Sequence, residues 1–256
     1  MMALIPRVAL VTGAARRIGR AIALDLAAQG FAVGVHHHRS AEEAAQVVAE
    51  ITAKGGRAVA LKADLSRESD VATIMPRLVS TLGPPGLLVN NASLFERDEA
   101  LTVTRASWDA HMETNLRAPF LLSQDFARNL PAGAEGVIVN ILDQRVWNVT
   151  PHFTSYTLSK AGLWTITQTL ALALAPRIRV NAIGPGPVMP SVRQSQAQFE
   201  RQVSSVPLQR GPKLDEICAA IRFILEARSM TGQMIALDGG QHLNWASPQL
   251  HPCPEE

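Results

Sequence analysis

Short apolar runs alternate with amphipathic stretches along most of the chain. The runs are rich in valine, isoleucine and leucine, as is typical of strands buried on both faces of a parallel sheet. They predict strands at residues 7–12, 31–36, 58–62, 87–95, 136–142 and 179–183, a last strand and turn at 235–240, and helices that include 70–82, 108–126 and 214–226. This repeated alternation indicates an α/β fold, a doubly wound parallel seven-stranded sheet with helices on both faces.

Two segments do not fit the alternation. Residues 187–212 have weak periodicity, which is typical of a loop or lid over a substrate site, and residues 245–256 form a proline-containing C-terminal tail. The rest of the pattern is continuous, so we expect a single domain over residues 1–256.

Composition excludes several classes of protein. The 24 lysines and arginines nearly balance the 22 aspartates and glutamates, so charge gives no case for binding nucleic acid or an anionic membrane. The two cysteines, Cys218 and Cys253, form no CxxC motif, which argues against a disulfide framework or a zinc site. Because the chain has neither a signal-peptide pattern nor an apolar run long enough to span a membrane, we expect a cytoplasmic protein.

A glycine-rich turn follows the first predicted strand and opens a helix. Strand, glycine turn and helix together form the arrangement that binds the pyrophosphate of a dinucleotide, because the helix amino terminus offers free N–H groups. The cofactor-binding candidates here are Gly13, Arg16, Arg17, Ile18 and Gly19. Their spacing departs from the three-glycine fingerprint, so this turn alone is a weak signal.

The second strand ends in histidines rather than in the acid that usually holds the ribose 2′-hydroxyl of NAD. His36, His38, Arg39 and Ser40 stand there instead, and a cation beside a hydroxyl favours the 2′-phosphate of NADP. Ser40 also begins a predicted capping box with Glu43. Consecutive histidines at a strand end diverge, so we expect a solvated surface or a cofactor contact rather than a metal site.

Further candidates follow the third strand and end the fourth, and the carboxyl ends of both strands should face the same ligand. The candidates are Asp64, Leu65, Asn91, Ala92 and Ser93 for the cofactor, with Asp64 equally interpretable as a loop acid.

Three ionisable residues predict a proton-handling centre. Tyr156 and Lys160 are four residues apart and lie on one face of a helix, where the ammonium would lower the pKa of the phenol and suit it to general acid catalysis. Asp143 ends the fifth strand, thirteen residues earlier. A purely structural interpretation, in which Asp143 caps the following turn, fits these three residues equally well.

Taken together, these motifs resemble the short-chain dehydrogenase/reductase family, whose members have a Rossmann fold. The residues that carry the resemblance are Thr12–Gly13 to Gly19, Asn90–Asn91–Ala92, Asn115, Tyr156 with Lys160, Pro185–Gly186 and Asp238–Gly239–Gly240. Matching the catalytic tetrad of that family position by position gives Asn115, Asp143, Tyr156 and Lys160, so an aspartate stands where a serine is usual. That aspartate makes the chain similar to pteridine reductases and bacterial dihydromonapterin reductases.

The resemblance implies an NADPH-dependent reductase of a pterin, in which Tyr156 donates the proton. Lys160 would hold the nicotinamide ribose, and Asn115, otherwise interpretable as a satisfied core amide, would keep its helix open to a water chain. Arg17 would contact cofactor phosphate and substrate, and Phe95 would stack on the pterin. The remaining implied contacts are Ser93, Asp143 and Tyr156 for the substrate, and Tyr156, Lys160, Pro185, Gly186 and Val188 for the cofactor. The resemblance also implies a homotetramer.

Two other functions stay open. A carbonyl reductase of the same family would act on a 3-oxoacyl thioester, sugar or steroid ketone, but a carboxylate at Asp143 would repel the alkoxide that develops. A non-catalytic nucleotide-binding sensor would have no reason to retain both Tyr156 and Lys160. The sequence does not distinguish folate from biopterin or monapterin as the substrate.

Overall fold

A seven-stranded parallel sheet organises the molecule, as the alternation of elements predicts. The computed structural model describes residues 4–191 and 193–243, so the predicted tail at 245–256 lies outside the described residues. The strands are β1 (Val8–Val11), β2 (Ala32–His37), β3 (Ala58–Lys62), β4 (Leu87–Asn90), β5 (Gly136–Ile141), β6 (Ile178–Pro185) and β7 (Met234–Leu237). Their order is β3-β2-β1-β4-β5-β6-β7, which confirms the doubly wound Rossmann-type fold.

Helices cover both faces of the sheet. They are α1 (Arg17–Ala28), α2 (Ala41–Ala53), α3 (Glu68–Leu82), α4 (Arg105–Met112), α5 (Ala118–Asn129), α6 (Thr154–Ala173), α7 (Gln196–Ser205) and α8 (Leu214–Glu226). One core packs α1, α2 and α8 against the sheet, and the other packs α3, α5 and α6 against the opposite face. Alternate residues of β1 supply the two cores: Ala9 and Val11 point to the first, Val8 and Leu10 to the second.

The predicted helix at 108–126 is divided. A widened π-helical turn at Glu113–Arg117 separates α4 from α5, because its residues make hydrogen bonds to the fifth residue along rather than the fourth. The predicted loop at 187–212 contains α7, a largely polar helix with no buried residue.

Two other local predictions are wrong. Ser40 precedes α2, but its side chain makes no capping hydrogen bond, so the Ser40–Glu43 capping box is absent. Residues 91–95, predicted as part of the fourth strand, leave the sheet after Asn90 and form a loop over the carboxyl edge.

The order of the strands switches sides between β1 and β4, because β2 and β3 lie on one side of β1 and the later strands lie on the other. Ligands of open α/β sheets bind at such a switch point. Thr12, at the end of β1, ties the two strands together, because its hydroxyl accepts the amides of Asn91 and Ala92 at 2.9 Å each. Among residues 4–191 and 193–243, no helix has the length and apolar character needed to cross a bilayer.

Candidate active site

The glycine turn is held too tightly for side chains at two positions. Gly13 has φ +62°, in the left-handed region, and a Cβ on Gly19 would stand 2.2 Å from the carbonyl oxygen of Gly13. The side-chain amide of Asn91, which follows the neighbouring strand β4, fixes the turn by donating to the carbonyl of Thr12 at 2.8 Å. The start of α1 therefore presents its backbone N–H groups to the cleft.

His36, in the neighbouring strand β2, supports this glycine turn. Its Nδ1 accepts the Gly13 amide at 3.0 Å, so Nε2 carries the proton and lies 3.2 Å from the carbonyl oxygen of Ala63. Both ring nitrogens are thus bonded to backbone, which makes His36 a support for the glycine turn as well as part of the wall of the adjoining cavity.

Acid should destabilise the ligand-free protein through His36. Burial lowers the pKa of His36 to about 4, although the bond to Ala63 opposes this, whereas the ordinary value is 6.5. Because the pKa of His36 is lower in the folded than in the unfolded chain, the contribution of His36 to stability is fully present above pH 6.5 and is lost as pH falls toward 4. Between about pH 7.5 and pH 5 we expect this group to remove about 2 kcal/mol from the free energy of unfolding.

Urea unfolding at those two pH values and one protein concentration measures the loss. The control is His36→Asn, whose side-chain oxygen can still accept the Gly13 amide but does not titrate. Its free energy of unfolding should fall by about 2 kcal/mol less than that of the wild type over the same range. An equal loss of the free energy of unfolding in the two proteins would contradict the lowered pKa of His36 as its cause.

Two cavities along the carboxyl edge of the sheet join into one cleft. The larger, of about 680 Å³, runs from the glycine turn to the end of β3, and the smaller, of about 290 Å³, lies over the ends of β5 and β6. They share Arg17, Ile18, Asn91 and Ser93 in their walls. The cleft therefore has the elongated form that a dinucleotide with a substrate beside it needs.

All of the predicted cofactor-binding residues line this cleft. The larger cavity is lined by Gly13, Arg16, Arg17, Ile18, Gly19, His36, His38, Arg39, Ser40, Asp64, Leu65, Asn91, Ala92 and Ser93. The smaller cavity adds Tyr156, Lys160, Pro185, Gly186 and Val188. Asp64 is partly engaged, because one of its carboxylate oxygens accepts the amide and the hydroxyl of Ser66.

Three of the four predicted catalytic residues meet in the smaller cavity. The Tyr156 hydroxyl donates to Oδ2 of Asp143 at 2.8 Å, and Lys160 Nζ donates to the carbonyl of Ile141 at 2.9 Å. Burial lowers the pKa of Lys160 to about 8, with Asp143 acting in the opposite direction, so the ammonium is charged at neutral pH. The Asp143 side chain also accepts the Arg145 amide at 2.8 Å, so it caps the following turn as the structural interpretation predicts, and its contact with Tyr156 leaves the functional interpretation open.

Asn115, the fourth, holds the loop after β4. It sits in the widened turn between α4 and α5, where its oxygen accepts the Leu94 amide at 2.7 Å and its nitrogen donates to the Leu94 carbonyl at 2.9 Å. The same nitrogen donates to the Ser159 hydroxyl at 3.1 Å. Asn115 therefore connects the loop that carries Ser93 and Phe95 with the helix that carries Tyr156.

Sequence reasoning missed several residues of the smaller cavity, among them Arg145 and Phe153, which contact predicted site residues. The Arg145 guanidinium is buried 3.3 Å from Oδ2 of Asp143 and lies 5.4 Å from the centre of the Phe95 ring. Phe153 stacks on Phe95 at 4.4 Å between ring centres with 6° between the planes. A basic residue two positions after Asp143 was the available signal for Arg145, whereas nothing in the local sequence marks Phe153.

The segment after β6 is fastened to both sides of the cleft. Arg17 donates to the carbonyls of Met189 at 3.2 Å and Pro190 at 2.8 Å, and Arg193 bonds to Phe95 and Glu96. Arg17, predicted to contact cofactor phosphate and substrate, thus lies in the wall of both cavities and also holds the segment after β6.

The doubly wound sheet, the glycine turn and the Tyr156–Lys160 pair define an oxidoreductase with a dinucleotide-binding fold. The sequence profile described as short chain dehydrogenase matches residues 7–201. The chain belongs to the short chain dehydrogenase family.

Similar proteins of known structure or name include reductases of two kinds. The FolM alternative dihydrofolate reductase 1 of Brucella canis, solved in complex with NADP, is 51% identical, with a TM-score of 0.93 over 97% of this chain and 98% of that one. Its counterpart from Brucella suis, also with NADP, is 51% identical, with a TM-score of 0.92 over 98% of this chain and 100% of that one. The 3-oxoacyl-[acyl-carrier-protein] reductase FabG of Staphylococcus epidermidis is 32% identical over 92% of this chain and 98% of its own length.

Proposed function

We propose that this chain is an NADPH-dependent reductase of a pterin in the dihydropterin or dihydrofolate class. The observation that carries the proposal is the hydrogen bond from Tyr156 to the carboxylate of Asp143, at the position where the resemblance expects a serine. An ionised carboxylate only accepts hydrogen bonds, so it suits the ring N–H and amino donors of a pterin better than the oxygen of a ketone. The 51% identity to two proteins named as dihydrofolate reductases supports the same substrate class.

The residues of the larger cavity fit a phosphorylated dinucleotide. The glycine turn offers its amides to the pyrophosphate, and Arg39 lies at the end of β2, where a 2′-phosphate would stand. The NADP complexes of the two Brucella proteins support this choice of cofactor. When bound, NADPH supplies the hydride.

In the proposed reaction, Tyr156 gives its hydroxyl proton to the ring nitrogen of a C=N bond whose carbon receives the hydride. Asp143 accepts hydrogen bonds from the substrate, and its bond to Tyr156 holds the phenol oxygen beside the substrate position, from which the hydroxyl turns to the ring nitrogen. Lys160, buried and charged, stabilises the phenolate that forms when the proton leaves. The ring of Phe95 lies edge-on to Tyr156 at 4.7 Å between centres and supplies an aromatic surface for the flat substrate.

Carbonyl reduction is the second candidate, because the FabG relative is 32% identical over nearly the whole chain. NADPH consumption should be followed with dihydromonapterin, dihydrobiopterin and dihydrofolate in parallel with a panel of ketones, and with Asp143→Ala as control. Turnover of a dihydropterin that the substitution removes would support the proposal. Ketone turnover that survives the substitution would overturn it in favour of carbonyl reduction.

Cofactor preference should depend on Arg39. A charge-assisted hydrogen bond to a phosphate is worth about 1.5–3 kcal/mol, so Arg39→Leu should raise the KM for NADPH roughly 10- to 100-fold and leave the KM for NADH nearly unchanged. The matched control is Arg20→Leu, which removes an arginine of α1 that pairs with Glu50 at 2.6 Å outside the cleft walls. Equal changes in both KM values for Arg39→Leu would show that this residue does not read the 2′-phosphate.

A further inference from the structure

A buried polar cluster lies behind the active site, outside both cavities. Asp98, His111 and Ser155 expose 4%, 0% and 0% of their surface, and they come from the loop after β4, from α4 and from the first turn of α6. Burying three polar side chains is costly unless they satisfy one another, so their arrangement requires an explanation.

Asp98 caps the catalytic helix from a distant part of the chain. The residue before α6, Phe153, provides no side-chain cap. Instead the Asp98 carboxylate accepts the Ser155 amide at 3.0 Å and also the Ser155 hydroxyl, and the Asp98 carbonyl accepts the Thr154 amide at 3.3 Å. A negative charge at the amino end of a helix also interacts favourably with the helix dipole. The start of α6 is thus fixed to the loop after β4.

The charge of Asp98 follows from its surroundings. Burial alone would raise the pKa of Asp98, but hydrogen bonds from Ser155 and Ser107 outweigh this and lower it. Asp98 is therefore a carboxylate at neutral pH, and it can only accept hydrogen bonds.

The proton positions in the cluster follow from its partners. Nε2 of His111 accepts the Glu96 amide at 3.1 Å, so in the neutral ring the proton is on Nδ1. Nδ1 lies 3.0 Å from the Ser107 carbonyl and 2.7 Å from the Ser155 hydroxyl oxygen, which accepts from it while donating to Asp98. This order excludes a hydrolytic triad, because the serine proton goes to the carboxylate and the histidine nitrogen beside it is a donor.

The cluster holds the backbone next to two aromatic residues of the candidate active site, Phe95 and Tyr156. Ser155 immediately precedes Tyr156, and Glu96, bonded to His111, immediately follows Phe95. The rings of Phe95 and Tyr156 are 4.7 Å apart, and the His111 ring packs edge-on against Tyr156 at 6.1 Å. A change within the cluster therefore moves the aromatic surface and the hydroxyl relative to each other.

We infer that Asp98, His111 and Ser155 are positioning residues, which set the placement of Tyr156 relative to Phe95 through the first turn of α6 and the loop after β4. The inference rests on the proposed role of Tyr156 as proton donor, but it does not depend on which substrate is reduced. It assigns a role in the reaction to three side chains that do not reach the cleft.

The first test compares two serine deletions. Ser155→Ala should lower kcat by about 10- to 100-fold through misplacement of Tyr156, without changing the affinity for NADPH. The matched control is Ser123→Ala, because Ser123 is also buried in a helix and donates to the Pro119 carbonyl at 2.7 Å, away from the cleft. Ser123→Ala should keep the wild-type kcat even where its Tm falls as far. Equal kcat losses in the two variants would mean that the cluster only stabilises the fold, and would overturn the inference.

A second readout does not require turnover. Tyr156 is the single tyrosine of the chain, so growth on 3-fluorotyrosine places one fluorine label in the active site. The fluorine resonance and its pH titration should change in Ser155→Ala and stay as in the wild type in Ser123→Ala. An unchanged resonance in Ser155→Ala would overturn the inference.

The His111 variants cover the case in which Ser155→Ala does not fold. His111→Gln keeps an amide that can donate to Ser155 and accept from Glu96, whereas His111→Leu keeps only the volume. We expect kcat and the fluorine resonance to stay close to wild type in His111→Gln and to change in His111→Leu. The same behaviour in both variants would show that the hydrogen bonds of His111 do not position Tyr156.

Discussion

Asp143→Ala should lower kcat for a dihydropterin by roughly 10²- to 10⁴-fold, the range expected when a group that handles protons in the transition state is removed. The carboxylate is the acceptor of the Tyr156 hydroxyl, so its loss removes both a substrate contact and the bond that holds the phenol in place. NADPH affinity should stay within a few-fold, because the glycine turn and the end of β2 are untouched. Steady-state kinetics together with fluorescence titration of NADPH measure both quantities.

Asp143→Ala also removes the carboxylate beside the buried charge of Arg145, so a loss of stability could be mistaken for a loss of catalysis. Asp143 also faces the Arg145 guanidinium at 3.3 Å, and removing one member of a buried ion pair is commonly destabilising. Asp143→Asn keeps the shape of the side chain, and Asp143→Ala combined with Arg145→Met removes both charges. We expect both proteins to fold and to remain defective with the pterin. Asp143→Ser provides the decisive comparison, since full pterin turnover by this variant would contradict the proposed role of the carboxylate.

The fold was predictable because its signals are local. Strands such as β5 (Gly136–Ile141), buried at every position, produce continuous apolar runs, and helices such as α8 produce a clear apolar stripe. The glycine turn was predictable from Gly13 and Gly19 together with the strand before them and the helix after them, although their spacing alone is a weak signal. The widened turn at Glu113–Arg117 was not predictable, because apolar periodicity continues through it and one extra residue per turn leaves no compositional trace.

The failures have equally local reasons. Ser40 has the sequence of a cap, but its backbone has φ −92° and ψ 59° rather than the extended conformation that directs a side-chain oxygen to the helix N–H groups. Helix α7 is short, and only three of its ten residues are apolar, so the sequence offers few apolar positions from which to predict it.

The candidate site was predictable as a set of residues but not as a set of contacts. Tyr156 and Lys160 follow from helical spacing, and Asp143 from its place at a strand end. Arg145 over Phe95 and the bond from Ser155 to Asp98 join residues that are 50 and 57 positions apart, and only the folded chain brings them together. The homotetramer, implied by resemblance alone, stays a prediction.

Tyr156→Phe should reduce kcat by about 10³-fold, within the range for loss of a general acid. The substitution removes one oxygen atom and keeps the ring, so the contacts of that ring with Phe95 and His111 should persist and the fold should be intact. Equal NADPH affinity and an unchanged circular dichroism spectrum are the controls. Retention of more than about a tenth of the wild-type kcat would mean that another group supplies the proton.

The double variant with Asp143→Ala determines whether the two residues act as one unit. Because the Tyr156 hydroxyl donates directly to Asp143, the phenol loses its orientation when the carboxylate is removed, and the carboxylate loses its donor when the phenol is removed. Residues that function together in this way show strongly non-additive kinetics. The double variant should therefore be no slower than the slower single variant, within a few-fold. Additive losses would mean that Asp143 acts on the substrate independently of Tyr156, as a contact for the pterin alone.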